Sequence, residues 1–248
     1  MSIFKKTSDN NGWYACWFNT PFYHILYKNH DYSEAKGFMD TLTNYLNLPE
    51  QAHILDVACG RGRHSIYLNS IGYNVTGIDI SEENIAYAKK YENPNLFFEV
   101  HDMCNPYSKK FDAVFNLFTS FGYFENEEDN LQALKALKEN LNETGFGVID
   151  FMNTRKVIEC LTSKEEKTVE GITFNIHKYV EDGYIFKNIK FSKDGEDYDF
   201  TERVKALTLQ DFENYFEQAG IYLLDVFGDY KLKKFDEKES DRMILIFK

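Results

Sequence analysis

Asp56, Gly60, Gly62 and Asp79 have the types and the spacing to hold a polar ligand. In Asp56-Val57-Ala58-Cys59-Gly60-Arg61-Gly62 a tight turn leaves a β-rich run, His53 to Val57, and enters a helical stretch. Ligands of open α/β sheets lie outside the carboxyl ends of the strands, where glycines let backbone N–H groups approach and a helix N-terminus favours negative charge. The turn is therefore expected to carry something anionic or polar on Gly60 and Gly62. A dinucleotide fingerprint would require a third glycine, yet counting from Gly60 that position is Ser65, and counting from Ala58 it is Arg63. Spacing thus excludes a pyrophosphate. Asp79 stands 19 positions beyond Gly60 at the end of a second β-rich run, where one carboxylate can accept from both hydroxyls of a ribose. The expected ligand is a nucleoside without a diphosphate.

Holding these residues requires strands alternating with helices, and the chain supplies that alternation from residue 53 onward. After the turn a helix runs to about Ile71, where Gly72 can stop it. Tyr73 to Asp79 reads as a strand, and Ser81 as the N-cap of a helix carrying Glu82 and Glu83 in its first turn. Leu96 to Val100, Phe111 to Asn116 and Gly145 to Phe151 read as further strands. Leu131, Leu134, Leu137 and Leu141 mark the apolar stripe of a helix from about Glu127 to Leu141. From about Thr168 to Lys205 the pattern becomes strand-like, with a turn at Glu181-Asp182-Gly183, and predicts a small antiparallel β insertion. Thr208 then caps a helix closed by Gly220. Ile221 to Phe227 and Met243 to Phe247 finish as strands. No crossover helix fits the charged stretch between them, so they should pair antiparallel.

Four segments, in order and spacing, resemble the cofactor motifs of class I S-adenosylmethionine-dependent methyltransferases: Asp56-x-Ala58-Cys59-Gly60-x-Gly62, Gly77-Ile78-Asp79-Ile80-Ser81, His101-Asp102-Met103 and Phe111-Asp112-Ala113-Val114. The match covers roughly residues 50 to 152. The resemblance implies an α/β, Rossmann-like doubly wound fold: a seven-stranded, mostly parallel sheet with an antiparallel last strand, plus the β insertion at about 155–206. Residues 49–248 form the methyltransferase domain in this reading, and 1–48 an N-terminal helical lid or cap segment. It implies S-adenosylmethionine as cofactor, with Asp56 and the loop Ala58, Cys59, Gly60, Gly62 against the methionine moiety. Asp79 and Ile80 would lie at the ribose, Asp102 and Met103 at the adenine, and Asn116, Leu117 and Phe118 under the reactive methyl. The family pattern often has glycine where this chain has Ala58.

Residues 13–32 contain eight aromatics, Trp13, Tyr14, Trp17, Phe18, Phe22, Tyr23, Tyr27 and Tyr32. They read either as a helix packed on a sheet or as a lid that keeps water from a cationic sulfonium. Tyr23 and His24 occupy a place resembling the family's cofactor-covering element. If the acceptor is a hydroxyl, His24 or Tyr123 could take its proton. If it is an amine, loss of its proton before attack suffices.

Composition narrows the acceptor. Forty acidic against 28 basic residues leave a formal charge of −12, which opposes the counterion-releasing contacts of nucleic-acid binding. A small-molecule substrate, no nucleic acid and no membrane are expected, with a monomer or homodimer as the assembly. The start, Met1 to Gly12, lacks the apolar stretch of a signal peptide, so a cytoplasmic location is expected. Cys16, Cys59, Cys104 and Cys160 show no paired spacing, which predicts free thiols and no metal. The expected activity is methyl transfer to a nitrogen or oxygen of a small molecule by in-line displacement. The competing readings are an inactive S-adenosylmethionine-binding protein or partner subunit, and an RNA or protein methyltransferase.

Overall fold

The run His53–Val57 forms β1, and its neighbours show why it is apolar. It pairs in parallel with β2 (Asn74–Asp79) on one side and β4 (Phe111–Asn116) on the other, so both of its edges are hydrogen-bonded, and the successive residues 54–57 are all buried, so both of its faces are covered as well. β3 (Leu96–Val100) extends the sheet beyond β2, and β5 (Leu141–Met152) extends it beyond β4, both in parallel. Antiparallel β11 (Arg242–Phe247) lies against β5, with β10 (Leu223–Phe227) outermost, so the order is β10-β11-β5-β4-β1-β2-β3. The computed structural model describes residues 17–28 and 32–248. Met1 to Gly12, Trp13, Tyr14 and Cys16 fall outside the described residues, and of Tyr32 only its place in the backbone is described.

Two units are distinguished, one of residues 31–156 and 207–248, the other of 1–30 and 157–206. In the first, α2 (Tyr32–Leu46) buries Phe38, Met39, Leu42 and Leu46 in a core with Ile54, Phe115 and Val148. α3 (Arg63–Ser70) leads back to β2, and Gly72 turns the chain at a φ of 104°. α4 (Glu82–Ala88) begins at Ser81, whose Oγ accepts from the Asn84 N–H at 3.1 Å. α5 (Glu127–Glu139) ends two residues earlier than its leucine spacing suggests. Asn140 holds the Tyr107 N–H and the Tyr107 and Lys109 carbonyls, and Leu141 opposite Phe111 already belongs to β5. After β5 comes α6 (Thr154–Glu159). α7 (Leu209–Ala219) has the reciprocal Thr208–Asp211 cap and ends at Gly220 in the left-handed region.

The second unit contains a four-stranded antiparallel sheet, β6 (Lys164–Val169), β7 (Ile172–Glu181), β8 (Tyr184–Lys193) and β9 (Glu196–Lys205). Its three two-residue turns, Glu170-Gly171, Asp182-Gly183 and Asp194-Gly195, all have positive φ at both positions, the geometry that matches strand twist. The sheet has more strands than the apolar alternation indicates, because β6 and β9 are charged edge strands. α1 (Pro21–Leu26), capped by Thr20, lies with Trp17 on this sheet, burying Trp17 and Leu26 against Ile172, Phe174, Ile189 and Phe191. Glu202 accepts from Trp17 Nε1 at 2.7 Å and from Tyr27 Oη at 2.6 Å.

Candidate functional site

The β1–α3 turn is left-handed at Ala58 (φ 58°), Gly60 (φ 57°) and Gly62 (φ 82°). That accounts for the glycine expected at position 58: an L-residue there carries a backbone cost of about 1–2 kcal/mol. The two loop glycines do different jobs. A Cβ on Gly60 would meet nothing within 4 Å, so this backbone is open to a ligand. A Cβ on Gly62 would stand 2.6 Å from the Phe98 ring, so here glycine serves packing against β3 and not ligand approach. Cys59 turns its thiol into the core, where burial and the nearby Asp56 and Asp79 push its pKa well up.

Both aspartates hold the turn in place. Asp56 is fully buried and accepts from Ser65 Oγ at 2.5 Å and from the Ser65 backbone, pinning the start of α3. Desolvation pushes its pKa up to about 6, against the hydrogen bonds from Ser65. Asp79 Oδ2 accepts from the Gly60 N–H at 2.8 Å, and Oδ1 from the Ser81 N–H at 2.8 Å. Burial raises its pKa, and those two N–H groups oppose the rise. Ile80 is exposed beside it. At the end of β3, Asp102 Oδ1 accepts from the Cys104 N–H at 2.9 Å, and Met103 is half-buried.

At the end of β4, Asn116 is fully buried with its Nδ2 on the Val57 carbonyl at 3.3 Å, while its Oδ1 has no partner. Leu117 is buried, and Phe118 and Thr119 both adopt positive φ, 62° and 59°. Tyr123 Oη donates to the Thr119 carbonyl at 2.7 Å. Asp56, the 58–62 loop, Asp79, Ile80, Asp102, Met103 and Asn116 to Phe118 thus gather at the carboxyl ends of β1 to β4 in one unit. Tyr23 and His24 lie on α1 in the other, where Tyr23 packs with Trp17, Phe18 and Tyr27.

Comparison with known proteins points to methyl transfer. Residues 54–145, spanning β1 to the start of β5, match the model of a methyltransferase domain. The chain carries a methyltransferase domain and is similar to S-adenosylmethionine-dependent methyltransferases. The chain is similar to the protein named "Putative methyltransferase YqeM" of Bacillus subtilis, 28% identical over 74% of this chain and 79% of that one. It is 30% identical to dTDP-3-amino-3,4,6-trideoxy-alpha-D-glucopyranose N,N-dimethyltransferase of Streptomyces venezuelae, over 52% of this chain and about half (54%) of that relative. Its fold is shared with an S-adenosylmethionine-dependent methyltransferase from Clostridium acetobutylicum, at a TM-score of 0.76, 22% identity and coverage of 91% of this chain and 94% of that one.

The residues of the methyltransferase site fit S-adenosylmethionine. Asp79 uses one lone pair on each oxygen for the backbone, leaving acceptor capacity for a diol, and Gly60 offers an open face next to it. The unpaired Oδ1 of buried Asn116 calls for a donor that the protein does not supply, such as an ammonium or hydroxyl. Among the described residues no group of three potential ligands could hold a metal ion, and no helix is long and apolar enough to cross a membrane.

Sequence reasoning missed the residues behind the β4 exit loop of the methyltransferase. Asp150, 1% exposed on β5, accepts from the Phe118 N–H at 2.9 Å, from Tyr230 Oη at 3.2 Å and from Arg242 Nε at 2.8 Å. Arg242 Nη2 also donates to Thr119 Oγ1 at 2.9 Å. This network holds two left-handed non-glycine residues in place. The only signal in the sequence is an arginine opening an otherwise apolar last strand.

Proposed function

We propose that this methyltransferase transfers the methyl group of S-adenosylmethionine to a nitrogen or oxygen of a small-molecule acceptor. The observation that carries the cofactor half is Asp79, fixed by the Gly60 and Ser81 N–H groups with acceptor capacity left over. In this reading Asp79 takes the ribose diol, with Ile80 beside it. Asp102 and Met103 serve the adenine, the face of Gly60 lies along the amino-acid side, and Asn116 to Phe118 floor the pocket below the methyl. Bound cofactor supplies an electrophilic methyl on a sulfonium. The protein's part is to align the acceptor and exclude water, because in-line displacement depends mainly on orientation.

A small-molecule acceptor is supported by relatives that act on amino sugars and on glycine by their names, among them a glycine/sarcosine N-methyltransferase of Halorhodospira halochloris. The acidic charge balance of the chain agrees. The test is transfer of labelled methyl from S-adenosylmethionine to a panel of small amines, hydroxyl compounds and acids, read as formation of S-adenosylhomocysteine. Transfer to amines or hydroxyls supports the reading. Cofactor binding with no transfer to any member, or transfer only to RNA or protein, overturns it.

A further inference from the structure

The four-stranded sheet of the second unit is not paired along its whole length. β7 and β8 stay in register from Glu181–Tyr184 to Asn175–Lys190, and there their ladder stops. Both strands continue, but only against their outer neighbours: Ile172, Thr173 and Phe174 pair with β6, and Phe191, Ser192 and Lys193 pair with β9. The sheet therefore forks into two hairpins, β6–β7 and β8–β9.

Turn geometry fixes which backbone groups face the fork. Val169 and Ile172 flank a two-residue turn and form the bonded pair that closes it, as do Lys193 and Glu196. Bonded and non-bonded pairs alternate along antiparallel strands. Thr173 and Ser192, one step further in, thus turn their N–H and C=O groups away from β6 and β9 and toward each other. Had the β7–β8 ladder continued, these two would be its next bonded pair, and they do not pair.

An open cleft of about 520 Å³ lies in the fork, within the size range of small-ligand sites. Thr173 and Asn175 line it from one prong, and Lys190, Ser192 and Asp197 from the other. Phe191 and Tyr198 line it too, although they alternate with Lys190, Ser192 and Asp197 and so belong to the opposite face of the sheet. These rings reach the cleft because the strands have parted. They stack with centres 4.9 Å apart and planes 10° apart, forming one aromatic wall.

The polar lining holds one ammonium and one carboxylate, and so has no net charge with which to select an ion. Lys190 Nζ lies 3.1 Å from Asp199 Oδ2, and Asp197 Oδ1 accepts from Ser192 Oγ at 2.6 Å. Beside the wall, the open backbone groups of Thr173 and Ser192 and the Asn175 amide supply both donors and acceptors. This combination fits a neutral ring with hydroxyls at its edge and C–H bonds on its faces, because a weakly positive C–H face suits the negative face of an aromatic ring. An inserted peptide strand fits less well. It needs β7 and β8 about 10 Å apart, twice the strand spacing, and they are still paired at Asn175–Lys190, two residues away.

We propose that the fork between β7 and β8 is a binding site for an uncharged sugar ring. Its hydroxyls take the open N–H and C=O groups of Thr173 and Ser192 and the Asn175 amide, and one face lies against the aromatic wall at Tyr198. The site lies within one unit and draws on nothing in the cofactor pocket, so failure of either leaves the other standing.

The test is amide NMR of the full chain titrated with D-glucose, N-acetyl-D-glucosamine and D-glucose 1-phosphate. Saturable shifts at the Thr173 and Ser192 amides are expected with at least one of the two neutral sugars, at a dissociation constant of about 1–10 mM. The phosphate ester should bind no more tightly, since the lining has no surplus positive charge. Asn175 and Ser192 are exposed, so Asn175→Ala combined with Ser192→Ala should weaken the sugar about 10-fold or more while moving the thermal midpoint by only about 2 °C. Absence of saturable shifts up to about 50 mM of either neutral sugar overturns the proposal. Shifts confined to the carboxyl ends of β1 to β4, tighter binding of the phosphate ester, or unchanged sugar affinity in the double variant overturn it equally.

Discussion

Arg242 on β11 reaches across to Asp150 on the neighbouring antiparallel strand, with Nε and Nη2 at 2.8 Å and 2.7 Å from Oδ1, and the pair fixes a loop that belongs to neither strand. The other Asp150 oxygen accepts from the Phe118 N–H, and Nη2 donates to Thr119. Asp150 is buried and Arg242 largely so, and losing the arginine strands a buried carboxylate. Arg242→Met is expected to cost about 3–5 kcal/mol in urea unfolding, while Asp150→Asn with Arg242→Met together should recover part of that loss. A double-variant loss equal to the sum of the Arg242→Met and Asp150→Asn losses would show that the pair is not coupled.

Asp79→Asn keeps the side-chain shape but can accept from only one of the Gly60 and Ser81 N–H groups. The expected result is weaker cofactor binding by about 1–3 kcal/mol in calorimetry, with the fold retained by circular dichroism. Undiminished affinity would remove Asp79 from the ribose.

The two loop glycines separate stability from binding. Gly62→Ala drives a methyl into Phe98 at a left-handed φ, and should lower the thermal midpoint more than Gly60→Ala does. Gly60→Ala meets open space, so its main effect should fall on cofactor affinity. Thermal melts with and without S-adenosylhomocysteine read both effects, and the reverse order would contradict the packing of Gly62.

Asp56 and His64 make opposite contributions to the dependence of stability on pH. Asp56 has a folded pKa of about 6, above its ordinary 3.8, so its contribution is present below pH 4 and is lost as pH rises through 6. Asp56→Asn, which keeps an acceptor for Ser65, should therefore gain stability relative to wild type across that window, on the order of 3 kcal/mol at most. His64 has a folded pKa of about 3, below its ordinary 6.5, so its contribution is present above pH 6.5 and is lost as pH falls through 3. His64→Gln should flatten that acid limb. Urea midpoints measured from pH 3 to 8 resolve the two windows, and a pH-independent difference for either variant would rule out its assignment.

Where short-range pattern decides structure, the chain could be read directly. Ser81 and Thr208 cap helices, Gly72 and Gly220 end them, and the apolar runs at 53–57, 111–116 and 243–247 are buried strands, because each choice depends on residues a few positions apart. The charged edge strands β6 and β9 escaped notice because their pairing, not their own alternation, makes them strands. Asn140 likewise ends α5 through partners 31 and 33 positions away.

By itself the sequence determined the alternating fold, the turn at 58–62 and a carboxylate at the end of the second strand, since backbone propensity and spacing are local quantities. Tertiary structure alone decided what those groups touch. It engages the Cys59, Gly60 and Gly62 N–H groups internally, gives Gly62 to Phe98 and Gly60 to open space, leaves Asn116 Oδ1 without a partner, and sets Arg242 against Asp150 from 92 residues away. Hydrogen bonding and desolvation depend on distances between atoms, and those exist only once the strands have been laid side by side.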